Sequence, residues 1–122
     1  QERQVEAQRV DALITAAHKG GAGVLGLEAT FLALMEKRVQ LLVVEEDFAQ
    51  AGWECPNCDY LGATPQERCP LCGTVLKAQP DIVEPALVRV FEQDGDLEVL
   101  RSQGSRQALA PYGQIGALLR YA

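Results

Sequence analysis

The chain is poor in the residues that catalysis draws on. It has a single histidine, His18, at the end of a predicted helix, with no carboxylate or cysteine at a productive spacing. No serine sits in a G-x-S-x-G elbow. The glycine-rich stretch 19–23 lacks the G-x-x-x-x-G-K-S/T pattern of a phosphate loop and reads as a turn. Glu45, Glu46 and Asp47 lack the spacing of a calcium loop and read as a solvated strand end. A non-enzymatic role is therefore expected. Long apolar runs are also missing, so no segment reaches the ~20 residues a membrane-crossing helix needs. Residues 1–4 do not have the charged-then-apolar form of a signal peptide. With no initiator Met, the chain is expected to be part of a longer protein whose upstream domains are absent. Basic residues are in deficit: 11 Lys and Arg stand against 17 Asp and Glu, for a net charge of −6. Such a surface repels phosphate backbones. A protein partner with a basic surface fits it better than free RNA or DNA, unless the charge serves only solubility.

What the chain does have is four cysteines in two identical half-sites, Cys55-Pro-Asn-Cys58 and Cys69-Pro-Leu-Cys72. Each Cys-x-x-Cys turns two sulfurs onto one ion, and two such knuckles complete a tetrahedral site. Pro56 and Pro70 stiffen the turns by fixing φ, and Gly73 can take a positive φ beside the metal. Cys55, Cys58, Cys69 and Cys72 are thus expected to hold a structural Zn²⁺, with no position left for water. Iron would also suit four thiolates. Two disulfides or two redox pairs are the competing readings, and neither suits two knuckles in one short loop without an export signal. Reduced, metal-bound thiols point to the cytoplasm.

Residues 2–19 predict a helix, with Val10, Leu13, Ile14 and Ala17 on one face, ended by Gly20, Gly21 and Gly23. Residues 27–37 predict a second, with Leu27, Phe31 and Leu34 in a stripe. The run 39–44 predicts a strand covered on both faces. Residues 52–76 form the metal module, in which Trp53 and Tyr60 are expected to pack over the first knuckle. A helix is expected over 84–94 with Pro85 in its first turn, then a turn at Asp94-Gly95 and a strand over 97–100. The polar stretch 102–111 holds at most a short helix around 106–110. A turn at 113–116 leads into a closing strand over 117–121. This order gives a small α/β sandwich over 1–51 and 77–122, interrupted by the module at 52–76.

The segment Gly113-Gln114-Ile115-Gly116-Ala117-Leu118-Leu119-Arg120-Tyr121 resembles the ending of the third domain of archaeal and eukaryotic class-one peptide-chain release factors, G-G-I-G/A-A/G-I/L-L-R-Y/F. Pelota, the ribosome-rescue relative, ends similarly. Gly26 at the second helix, the strand 39–44, the helix after Glu84 and the strand 97–100 fall in the family's order, and archaeal members resemble this chain in carrying a cysteine ribbon after that strand. The resemblance covers nearly the whole chain. It implies a small α/β/α sandwich of the kink-turn-binding ribosomal-protein type with an inserted four-cysteine zinc ribbon. It implies a C-terminal docking domain in translation termination or ribosome rescue, binding a translational GTPase, the recycling ATPase or the ribosome. The family's peptide-releasing Gly-Gly-Gln and decoding Asn-Ile-Lys-Ser do not occur here, so neither activity is assigned. The same fold resembles kink-turn RNA binders, whose G-x-N-E…K pattern falls on Gly26, Leu27, Glu28, Ala29 and Leu32. The asparagine, glutamate and lysine are all replaced, which argues against RNA. A regulatory adaptor that has left the ribosome is the remaining alternative. There the ribbon residues Asn57, Asp59, Tyr60 and Leu71 would meet a different protein.

Overall fold

The computed structural model describes residues 2–19, 21–58 and 60–120; the expectations placed on Gly20, Asp59 and Tyr121 lie outside them. Helix α1 spans Glu2–His18, strand β1 Gly23–Leu25, α2 Leu27–Met35 and β2 Val39–Glu45. Three short strands follow: β3 Gly52–Glu54, β4 Leu61–Gly62 and β5 Lys77–Gln79. The chain then forms α3 Val83–Glu92, β6 Asp96–Leu100, α4 Gln103–Leu109, a 3₁₀ turn Ala110–Tyr112 and β7 Ile115–Leu119.

The main sheet has the order β1-β7-β2-β6. Its central strand β2 runs parallel to β6 and antiparallel to β7. Side chains alternate along a strand, so β2 serves two cores. Leu42 and Val44 join Phe31 and Leu34 of α2 and Val83, Ala86 and Val90 of α3. Leu41 and Val43 join Val10 and Leu13 of α1 and Leu109 of α4. Helices thus cover both faces, and the molecule is the α/β/α sandwich that the continuous apolar run of β2 implies.

Several elements differ from the sequence expectations. Residues 23–25 are a strand, not part of a turn, because β1 pairs with β7 at Gly23↔Leu118 through Leu25↔Gly116. Helix α4 begins earlier than residue 106, since Ser102 caps it and its hydroxyl accepts from the Ser105 amide at 3.4 Å. Strand β7 lies at 115–119 rather than 117–121. The reversal before it is compressed into Gly113 (φ 94°) and Gln114 (φ 70°). Pro85 does sit in the first turn of α3.

Two polar ties, the first of them buried, close the sandwich. Glu6 of α1 is only 3% exposed, and its Oε1 accepts from the Arg101 and Ser102 amides at 2.9 and 3.0 Å and from the Ser102 hydroxyl at 3.2 Å. Burial opposes its ionisation, but those donors and the Arg101 charge prevail and hold its pKa below the usual carboxylate value. At the other end, Arg120 donates from Nε to the Val39 carbonyl at 3.1 Å and from Nη2 to the Gln93 carbonyl.

Candidate metal centre

The three short strands form their own sheet, β4-β3-β5, standing between β2 and α3. It presents the two knuckles side by side. The Cys55 amide donates to the Tyr60 carbonyl at 3.0 Å and the Cys69 amide to the Thr74 carbonyl at 2.8 Å, so each knuckle is a closed hairpin. Gly73 turns the second at φ 80°, a conformation glycine adopts without strain.

The four Sγ atoms lie within 4.8 Å of one another, with Cys55–Cys72 and Cys58–Cys69 each at 3.5 Å. A tetrahedral shell with metal–sulfur bonds of ~2.3 Å has edges of about 3.8 Å, so the cluster has the right size for one ion. The cysteines are unbridged. Amides point at the sulfurs as they would at thiolates: Asn57 and Cys58 donate to Cys55 Sγ at 3.4 and 3.3 Å, and Leu71 donates to Cys69 Sγ at 3.4 Å. Without a metal, the thiols conflict. Cys72, supported by the Thr74 hydroxyl 3.2 Å away and the Thr74 amide, falls to about 6. At Cys58 the Tyr60 amide favours the thiolate, but burial and the neighbouring cysteines outweigh it and push the thiol up to about 12. A dication removes the conflict, because it deprotonates coordinated thiols outright and neutralises their mutual repulsion.

Among the described residues, little else packs around the sulfurs. Cys55, Cys69 and Leu76 are the buried members of this cluster, with Trp53 and Tyr60 partly buried against them, which is the packing role expected of both aromatics. Tyr60 is therefore half-buried rather than an exposed contact, whereas Asn57 and Leu71 are exposed. The sequence gives no sign of how the sheet is rooted. Leu61 is 2% exposed within the main core, beside Phe31 of α2. A Cβ on Gly52 would lie 2.5 Å from the Gly62 carbonyl oxygen and 2.8 Å from Ile82 Cβ, so β3 abuts its neighbours without room for a side chain. Arg89 of α3 reaches Glu54 of β3 at 3.1 Å, and Gln79 of β5 donates to the same carboxylate at 3.0 Å.

The other sequence candidates separate. His18 is exposed and stacks edge-on against Tyr112, ring centres 5.7 Å apart. Glu46 and Asp47 lie near the surface, but Glu45 is not solvated as expected. It is 5% exposed, because β2 runs one residue further than predicted and turns Glu45 under α4. Its Oε1 lies 3.4 Å from Gln114 Nε2 and 3.7 Å from Arg106 Nε. On α2, Glu28 and Leu32 are exposed, so the positions corresponding to the kink-turn readers present an acid and an apolar side chain.

The architecture defines a class: an α/β/α sandwich with a four-cysteine sheet between its central strand and the helix that follows. Solved structures similar to it in fold include the C-terminal domain of a peptide chain release factor from Methanosarcina mazei. It is 21% identical, with a TM-score of 0.65, over 98% of this chain and 83% of that one. Pelota from Archaeoglobus fulgidus is 20% identical with a TM-score of 0.67. The match covers 99% of this chain but 31% of Pelota, so the chain spans under a third of that protein. The resemblance read from the closing segment is thus borne out in the fold. No family model matches the chain, and no curated protein sequence matches it.

Proposed function

We propose that this chain is the partner-docking domain of a release-factor-like protein acting in translation termination or ribosome rescue. The observation that carries the reading is the fold likeness to the release-factor and Pelota domains, which extends over 98–99% of the chain rather than over a common sub-motif. The sandwich offers a rigid face to a translational GTPase or the ribosome. Residues 52–76, held by Cys55, Cys58, Cys69 and Cys72 around a structural Zn²⁺, project as a second contact. The four thiolate donors are the set that favours zinc, with every coordination position filled from the protein. The role is non-catalytic and cytoplasmic. The negative charge suits a protein partner with a basic surface.

The test is co-sedimentation and cross-linking of the intact protein with stalled ribosomes. Recovery with ribosomes or with a translational GTPase, reduced by charge reversal on this domain, is the expected result. Recovery with neither would refute the reading.

A further inference from the structure

We propose that the groove between α2 and the edge of the inserted sheet is a docking site for an arginine side chain of a partner protein. Strand β4 is an outer strand of that sheet and packs against α2. Between them lies an open groove of about 280 Å³. Leu27, Phe31 and Met35 of α2 and Leu61 of β4 give it an apolar lining. Glu28, Tyr60 and Gln66 bring polar atoms to it.

Charge sets the sign of the occupant. Among the described residues that line the groove, Glu28 is the one with a charge, and it is exposed. It makes no ion pair with any described residue. The carboxylate therefore stands at an apolar groove whose lining supplies no countercharge. Leu32, one turn further along α2, is 54% exposed, so apolar surface continues past the acid on the helix. A phosphate backbone would meet the wrong charge here. A lone carboxylate also falls short of the several oxygen ligands that a hard divalent cation takes.

An arginine answers both features. Its aliphatic stem covers apolar surface while the guanidinium stays in water at the rim. The planar head pairs with a carboxylate through two parallel bonds and stacks on aromatic rings, which suits it better than a lysine to a groove carrying both Glu28 and Tyr60. The Tyr60 hydroxyl donates to Gln66 Oε1 at 3.4 Å, and its oxygen can still accept from a further guanidinium N–H. Arginine and tyrosine are also among the residues that concentrate binding energy at protein interfaces. The site goes beyond the docking reading above and stands on the groove alone, so a failure of ribosome association would leave it to be measured separately.

The experiment is a titration of the zinc-loaded, ¹⁵N-labelled chain with N-acetyl-arginine amide, followed by amide shifts. N-acetyl-citrulline amide serves as the uncharged isostere. Saturable shifts at Glu28, Phe31 and residues 60–64 are expected with the arginine probe, weakening as salt is raised. Citrulline should bind about fivefold more weakly, and Glu28→Gln should cost the arginine probe about the same factor, the upper range for a solvent-accessible ion pair. Glu28 is exposed, so that variant should stay folded. Glu28→Lys, which reverses the charge, should abolish the shifts. Failure to saturate, equal binding of citrulline, or unchanged binding in Glu28→Gln overturns the proposal. Equal or tighter binding of N-acetyl-lysine amide or N-acetyl-leucine amide overturns it in favour of a partner's lysine or apolar residue. Tighter binding of free L-arginine than of the blocked amide overturns it in favour of a small molecule. Concentration-dependent shifts at the groove without any probe overturn it in favour of a second copy of the chain.

Discussion

Removing the metal, by chelation or by Cys58→Ser, is expected to unfold residues 52–79 while the four-stranded sheet survives. The reason is the distribution of buried surface. In the cysteine cluster, the buried side chains are two of the cysteines and Leu76, and one buried aliphatic contributes only about 2 kcal/mol. A structural zinc in a small module contributes on the order of 10–16 kcal/mol, far more than the module's own packing. The sandwich instead has two cores on either side of β2. The separation is not complete, because Leu61 belongs to the main core. If the module melts and withdraws Leu61, the sandwich should lose about 2–5 kcal/mol, as for truncating a buried leucine. Amide spectra before and after chelation would show this as collapsed dispersion over 52–79 with the signals of β2, β6 and β7 retained. Loss of both sets together would contradict it, as would retention of both.

The second large effect is expected at Gly116. A Cβ there would lie 2.8 Å from Leu13 Cδ2, 2.8 Å from the Val24 carbonyl oxygen and 3.2 Å from Leu25 Cδ2. Leu13 could turn aside, but Val24 is backbone of the paired strand β1 and cannot move without breaking the ladder. Gly116→Val should therefore lift α1 from the sheet and cost about 3 kcal/mol or more, the upper range for overpacking a core. Gly104 in α4 is the matched control, since nothing lies within 4 Å of a Cβ built there. Gly104→Ala should stabilise by about 0.5–1 kcal/mol through helix propensity. Urea midpoints at constant slope would measure both. A Gly116→Val midpoint close to that of the parent chain would refute the close approach.

Those two sites also show what a linear reading captures. The knuckles were legible because Cys-x-x-Cys is local chemistry: the spacing itself sets the turn, and the structure only had to bring two turns together. β2 and α3 were legible from short-range patterns, an apolar run and a proline in a first turn. β1 was not, because three residues beginning with glycine carry no period, and the strand exists only through pairing with β7 at the far end of the chain. The buried state of Glu45 depends on Gln114, 69 positions away, and that of Glu6 on the Arg101 amide, 95 positions away. In sequence both look like ordinary surface acids. The root of the cysteine sheet was hidden for the same reason, since Leu61, Gly52 and the Glu54–Arg89 pair matter only against α2 and α3.

The central claim is that the four cysteines act together on one closed metal site. X-ray absorption at the edge of the bound metal, with metal content measured on the same sample, tests it most directly. The expected result is one zinc per chain with four sulfur neighbours at ~2.3 Å and no nitrogen or oxygen in the shell. A substoichiometric metal with the cysteines oxidised to disulfides, or a shell containing a light-atom ligand, would contradict it.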